Sequence, residues 1–431
     1  MLKKIALCSI ALLAAKKSFL QDINSIINAQ EVERIERVLS SDEMQGRRTF
    51  TPGIDKAADF IAKEFKKAGI KPLNGKSYFQ EFAMIRTKQV SSSVIVNGQK
   101  VEDKNLLVFS AQPEVVINKS APYEILPVKA TDTLASLITR LQKTNKTYFL
   151  QIDTAQGRAF MNTKRRSGQF FYSAAVIVGV LTAEPVKEYE VNYKQEITTM
   201  PLKNVVGIIP GKSKKDEYVI FSGHYDHLGI GRPDAKGDSI FNGANDDAAG
   251  STAVMMLAHY FAKQKNNERT LVFSTFTAEE VGGYGAQYFS RQFDPAKVIA
   301  MFNIEMIGTE SKWGANSAYI TGYEKSSMGE ILGKNLEGTS FKFYPDPYIK
   351  EDLFYRSDNA TLARLGVPAH TISTSKMDNE PNYHKQSDEI GTLDMNNMAE
   401  IIKAIAISSS SIISGVDTPS RVDASQLRQA R

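Results

Sequence analysis

The stretch Phe221 to Gly229, FSGHYDHLG, sets His224, Asp226 and His227 close together straight after an apolar run. Residues two apart share a face in an extended chain, so the His224 imidazole and the Asp226 carboxylate are placed to act together. Other acids recur in the same kind of setting. NGANDDAAG carries Asp246 and Asp247 in a small-residue turn, TFTAEEVGGYGA carries Glu279 and Glu280, FNIEMIG carries Glu305, and NYHKQSDE carries Tyr383, His384 and Asp388. Singly, each has a structural account: a His-x-Asp surface turn, an aspartate cap for a helix beginning near Ala248, or solvated charge. Together, histidines and several carboxylates beside small residues match the ligand set of a zinc site.

Such residues need elements that gather them. From Leu202 onward, strand-like runs (NVVGIIP, EYVIFSG, TLVFSTF, VIAMFNIEMIG, SAYITG, VPAHTIS) alternate with helical ones, among them STAVMMLAHYFAKQ and a last helix near 395–413. That alternation predicts an α/β fold, a mostly parallel, doubly wound sheet with helices on both faces. The carboxyl ends of parallel strands share one edge, where ligands bind, so acids distant in sequence meet there. Upstream, Glu31 to Leu39 and Asp55 to Ala68 have helical spacing, with Gly69 as the stop. Residues 86–200 change character to short strand-like runs between polar turns, an inserted β-rich domain. The expected division is a signal peptide over 1–20, an N-terminal helical part over 21–85, the insert over 86–200, the main domain over 201–414, and a polar, mobile tail over 415–431.

The 431 residues are 42% hydrophobic and 23% charged, ordinary globular composition. A formal charge of +5, scattered along the chain, argues against a nucleic-acid partner. The start, MLKKIALCSIALLAAKKSF, has two lysines and an apolar run too short to span a bilayer, the pattern of a secretory signal. The expected location is therefore periplasmic or secreted, with no membrane span. The single cysteine, Cys8, falls inside that segment, which excludes a disulfide framework, thiol catalysis and cysteine-held zinc from a processed chain. GIIPGKS has three residues between its glycines where a phosphate-binding loop needs four, and reads as a turn between strands. Neither a Gly-x-Ser-x-Gly elbow nor a His-Glu-x-x-His helix occurs. His259 and His370 read as structural.

The order GHYDHLG, NGANDDAAG, TAEEVGGYGA, NIEMIG and YHKQSD resembles the co-catalytic di-zinc exopeptidases, peptidase family twenty-eight of the metallopeptidases, which include secreted bacterial aminopeptidases and glutamate carboxypeptidase. SSDEMQGRRTFTPGIDKAADFIAKEFKKAGIKP is similar to the N-terminal segment of bacterial members, and 86–200 occupies the place of their protease-associated domain. The resemblance implies the zinc-exopeptidase (phosphorylase/hydrolase-like) fold and two zinc ions per chain. It makes His224, Asp246, Glu280, Glu305 and His384 the metal ligands, with Asp246 bridging, His224 and Glu305 on one zinc, and Glu280 and His384 on the other. It makes Asp226 the orienter of His224, Glu279 the general base and Tyr383 the group that polarises the scissile carbonyl. Asp388 would support His384, His227 would be a bystander, and Arg356, Ser357 and Asp358 would line the substrate cleft, unless Asp358 is a helix cap. Glu305 departs from the aspartate of many relatives.

The function implied is a secreted zinc-dependent aminopeptidase that hydrolyses the N-terminal bond of a peptide substrate through a hydroxide held by two zinc ions. A glutaminyl cyclase-like acyltransferase, using one zinc, and a catalytically inactive binding module are the alternatives. Side-chain specificity and oligomeric state have no readable code in the chain.

Overall fold

Strands that are apolar on both faces have to be covered on both faces, and this dictates the centre of the fold. The computed structural model describes residues 23–118 and 123–427. The expected signal segment and Cys8 lie outside the described residues.

Two units divide the described chain. One comprises the residues up to Gln80 and from Lys203 onward, and the other runs Glu81–Leu202. The strands that form the first unit's sheet are β1 (Lys71–Pro72), the end of β2 (Tyr189–Ile209), β3 (Lys214–His224), β4 (Arg269–Phe276), β5 (Val298–Ile304), β6 (Ser317–Ile320), β7 (Lys342–Pro345) and β8 (Ala369–Ser373). Their order is β7-β6-β8-β5-β3-β4-β2, with β1 beside β2. The pairs β3–β4, β3–β5 and β5–β8 are parallel, while β4–β2 and β6–β8 are antiparallel. Four central strands therefore end at one edge, as a mostly parallel α/β sheet requires.

Alternation along β3 builds a core on each face. Val219 and Phe221 enter one, with Phe221 stacked on Phe273, Phe302 and Phe261 at 5.6, 5.0 and 5.5 Å. Ile220 enters the other, with Val272, Met301 and Ala369. The first face is covered by α1 (Ala29–Leu39), α2 (Pro52–Ala68), α3 (Ala249–Gln264) and α7 (Met395–Ser408), which also bury α5 (Met328–Asn335) residues. The second is covered by α4 (Tyr284–Ser290) and α6 (Asn359–Ala363). Helix α2 ends as expected, with Gly69 at φ 80°.

The tail was expected to be mobile, and from 415 to 427 it is fastened instead. Arg269, itself buried, donates to the Asp417 carbonyl and the Thr418 hydroxyl, Val422 N–H bonds Gly366 O, and Val422 and Leu427 join the second core. Polar composition misled because polar side chains of the tail are themselves anchors, with Arg421 donating to the carbonyls of Val298 and Pro295 and Ser420 Oγ accepting the Ser327 N–H.

In the second unit, the strands at 106–109, 176–181, 147–152 and 124–128 form a four-stranded sheet in that order. To its strands the unit adds two helices, Leu134–Leu141 and Gly157–Arg166, whose Leu134, Ile138, Leu141 and Phe160 pack into its core.

Helix α1 buries one acid, Glu36, which accepts the Thr252 hydroxyl of α3 at 2.8 Å. Burial raises its carboxyl from an ordinary 4.5 to about 8, against the opposing pull of Thr252 and Arg47. A carboxyl raised in the folded state contributes stability that is complete below its unfolded value and lost as pH rises through the folded one. The urea midpoint of the native chain should therefore fall between about pH 4.5 and 8 relative to that of Glu36→Gln. Parallel pH profiles would contradict this.

Candidate metal centre

His224 is the last residue of β3, level with Phe276 at the end of β4. Glu279 and Glu280 follow β4, and Glu305 follows β5, so the shared edge collects all of them. A polar ladder across the strands fixes their heights: the Ser222 hydroxyl donates to Asn303 Oδ1 at 2.8 Å, and Asn303 Nδ2 donates to Ser357 Oγ at 2.7 Å and Thr371 Oγ1 at 3.1 Å. Three residues at the site, Ala278, Met306 and His384, have φ of 61°, 53° and 55°. Each holds a left-handed backbone that side chains disfavour by on the order of 1 kcal/mol, so the surrounding packing imposes these turns.

Asp246 lies in the segment Ala244–Ala248 that enters α3, and the Asp246–Asp247 peptide is cis. Its two oxygens face different neighbours. Oδ1 is 3.3 Å from His224 Nε2, while Oδ2 is 3.2 Å from His384 Nε2. His224, Asp246 and Glu305 offer ligand atoms within 4.8 Å of one another, and so do His227, Asp246 and Glu280. His384 Nε2 is also 3.3 Å from Glu280 Oε2. Asp246 is the acid common to both groups.

These donors fit a cation. His224 Nε2 and Glu305 Oε2 are buried without a hydrogen-bond partner, an arrangement that is costly unless something binds them. Asp246, Asp247, Asp226 and Asp358 are all buried beside them.

Neighbouring glutamates are driven in opposite directions. Burial, reinforced by Asp358, Glu305 and Glu280, raises the Glu279 carboxyl well above the ordinary range. Burial opposes it, but His227 and His384 hold Glu280 down at about 2. For His224, burial works downward and is overcome by Asp246, Asp247 and Glu279, which carry the ring well above its usual value. Hydrogen bonds donated to the Asp246 and Glu280 carboxylates raise His384 to about 10.

Several expected roles take another form. The His224 Nδ1 atom is 3.1 Å from the Asp226 backbone carbonyl and 3.8 Å from its carboxylate. That carboxylate instead accepts the Glu279 and Glu280 N–H groups at 2.9 and 3.3 Å and the Thr49 hydroxyl at 3.1 Å. Asp226 thus aims the two glutamates as well as the histidine. Asp388 accepts the N–H groups of Asn245 and Asp246 at 2.8 and 3.0 Å, gripping the loop that carries Asp246. Asp358 makes no side-chain cap, and both its oxygens are buried without a partner. His227, expected to stand aside, has Nδ1 2.9 Å from Glu280 Oε1. Tyr383 stacks on His384 at 3.9 Å and, with Glu305, Ser357 and Arg356, lines a cavity open to solvent. His259 bonds Glu64 and His370 is buried in β8, both away from these groups.

Residues 204–408 match the model of Peptidase family M28. That region belongs to peptidase family M28. The chain is similar to a probable zinc metalloprotease of Pyrenophora teres f. teres, 31% identical over 191 residues that make up 43% of this chain and 40% of that protein. Leucine aminopeptidase 1 of Trichoderma harzianum is 26% identical over 217 residues, 47% of this chain and 52% of that protein. The chain thus spans about half or less of the length of these curated relatives. An aminopeptidase from Aneurinibacillus sp. strain AM-1 has the same fold, with a TM-score of 0.53 at 18% identity over 90% of this chain and 95% of that one.

One residue of this M28 site was not singled out from the sequence. Arg47, in the QGRRTF stretch, is fully buried and donates to the carbonyls of Tyr225, Leu39, Asn242 and Gly243 at 2.6–2.9 Å. It joins the chain beside His224 to the loop that carries Asp246. A lone arginine in a polar stretch carries no signal for this, because its partners are backbone atoms. Arg47→Met should leave those carbonyls unpaired and cost on the order of 3 kcal/mol, read as a lower urea midpoint at unchanged slope. A midpoint equal to that of the native chain would show the carbonyls satisfied otherwise.

Proposed function

We propose that the chain is a zinc-dependent aminopeptidase with two metal positions that share Asp246. The observation that supports this most is the two-sided placement of Asp246, with His224 and Glu305 on one side and Glu280 and His384 on the other, at a sheet edge that borders a cavity. His224, Asp246 and Glu305 would hold one zinc, and Asp246, Glu280 and His384 the other. Zinc held there supplies Lewis-acid polarisation of a carbonyl and acidification of water.

The chain's own groups do the rest. Glu279, raised by burial, is suited to take a proton from the attacking water and return it to the departing amine nitrogen. Asp226 holds the Glu279 backbone so that this carboxylate stays beside, and distinct from, the ligand Glu280. The Tyr383 ring stacks on His384 and lines the cavity, with burial pushing its hydroxyl up, so it stays protonated and can donate to the scissile carbonyl. Carboxylates around the centre favour a substrate's free α-ammonium over a C-terminal carboxylate. The one basic residue among those lining the cavity, Arg356, bonds Glu351 at 3.2 Å. The lysine-led apolar start supports export to a periplasm or the exterior.

The test is zinc content, together with rates on amino-acid amides and on the same peptides blocked at the N-terminus. Close to two zinc per chain, reversible loss of turnover on chelation and inactivity toward blocked peptides are expected. Full activity after exhaustive chelation would exclude the reading. Within it, Glu279→Gln should lose about 10²–10⁴-fold in rate and keep its zinc, whereas Glu280→Gln should lose zinc as well. The reverse pattern would exchange the two roles.

A further inference from the structure

The two sides of Asp246 are not equally provided with donors. On the His224 side stand three groups: His224 Nε2, Asp246 and Glu305. On the other side Glu280 and His384 are joined by His227, whose Nδ1 is 2.9 Å from Glu280 Oε1 and 3.8 Å from Asp246 Oδ2. The His227 side chain is wholly buried, and its ring meets that of His384 edge-on, with centroids 5.7 Å apart. Two imidazoles thus approach the same two carboxylates from different directions.

The fold makes room for the His227 ring. A Cβ on Gly243 would lie 2.5 Å from two of its atoms, so only glycine at this loop position lets the imidazole reach the acids. Backbone contacts to the Arg47–Arg48 segment hold the residue, through its N–H to Arg47 O at 3.3 Å and a bridge to Arg48. Nδ1 is the ring nitrogen turned toward Glu280 and Asp246, and a neutral imidazole that gives Nδ1 to a metal carries its proton on Nε2.

We propose that His227 is itself a metal ligand through Nδ1, completing a four-donor position with Asp246, Glu280 and His384. The inference rests on the two-metal reading above and changes its symmetry. Four protein donors make a closed site, while three leave a position open. Of the two groups, only the three-donor one contributes a residue, Glu305, to the wall of the cavity. The closed position therefore holds its metal tightly and serves the framework. The position of His224, Asp246 and Glu305 holds metal more weakly and is the one that meets substrate.

A residue that only orients a ligand costs about 10–100-fold in metal affinity when removed. His227→Ala should exceed that, losing more than about a hundredfold at one position, measured by competition with chelators of graded strength. His227→Asn keeps an N–H that can donate to Glu280 but is a poor zinc ligand, so it should behave like the alanine variant. If asparagine restores native affinity, His227 only positions Glu280 and the proposal fails. An independent measurement on the native chain needs no variant. With cobalt in place of zinc, three paramagnetically shifted, exchangeable imidazole N–H signals are expected, from His224, His227 and His384. Two signals with two bound metals would overturn the His227 assignment alone. A native chain that binds no metal would overturn the two-metal reading beneath it.

Discussion

The Asp247 carboxylate is the tie on which this site depends. It accepts the His224 N–H at 3.1 Å, the Gly250 N–H at 3.0 Å and the Met306 N–H at 3.1 Å, so one buried acid joins the end of β3, the start of α3 and the end of β5. Those segments carry His224, Asp246 and Glu305. The junction is close enough that a Cβ on Gly250 would lie 2.4 Å from both carboxylate oxygens and 2.1 Å from Ile304 O. Any larger residue there would separate helix from strand and take Asp246 away from its neighbours. A hydrogen bond to a charged acceptor is stronger than a neutral one, which suits a carboxylate to hold three chain segments at once.

The same device recurs around the site with other partners. Asp388 binds the N–H groups of Asn245 and Asp246, Asp226 binds those of Glu279 and Glu280, and Arg47 binds the carbonyls of Tyr225, next to His224, and of Gly243, at the start of the Asp246 loop. Buried charges are costly unless paired or hydrogen-bonded, and here several are satisfied by backbone rather than by opposite charge. The consequence is a dense set of carboxylates with no lysine or arginine side chain recorded as an ion-pair partner of Asp226, Asp246, Glu280 or Glu305 among the described residues. Such a set is suited to bind cations. It also separates duties between adjacent residues, since Glu280 faces two imidazoles and is held low while burial, with other acids beside it, raises Glu279.

Much of the fold was legible because its signals are local. Apolar runs ending at His224, Phe276 and Ile304, with helical spacing between them, imply parallel strands and covering helices, and the acids at their ends imply one edge. Helix α2 and its stop at Gly69 were legible for the same reason. The tail was not, since its attachment through Arg269, Val422 and Leu427 depends on surfaces far away in sequence. Nor were the helices within 81–202 distinguished from the strands around them, because short apolar runs have no decisive period.

Sequence by itself determined which chemical groups are available and roughly at which strand ends they stand: two carboxylates after β4, one after β5, a histidine closing β3. Tertiary structure alone decided what each group touches. It set the Asp226 carboxylate on two backbone N–H groups instead of on the His224 ring, left Asp358 without the capping role its position suggested, and brought His227 against Glu280. The physical reason is reach. Spacing along a strand says which face a side chain leaves from, but a hydrogen bond or a ligand contact is settled within about 3 Å, by loops such as 242–248 and 381–389 whose paths depend on the rest of the fold.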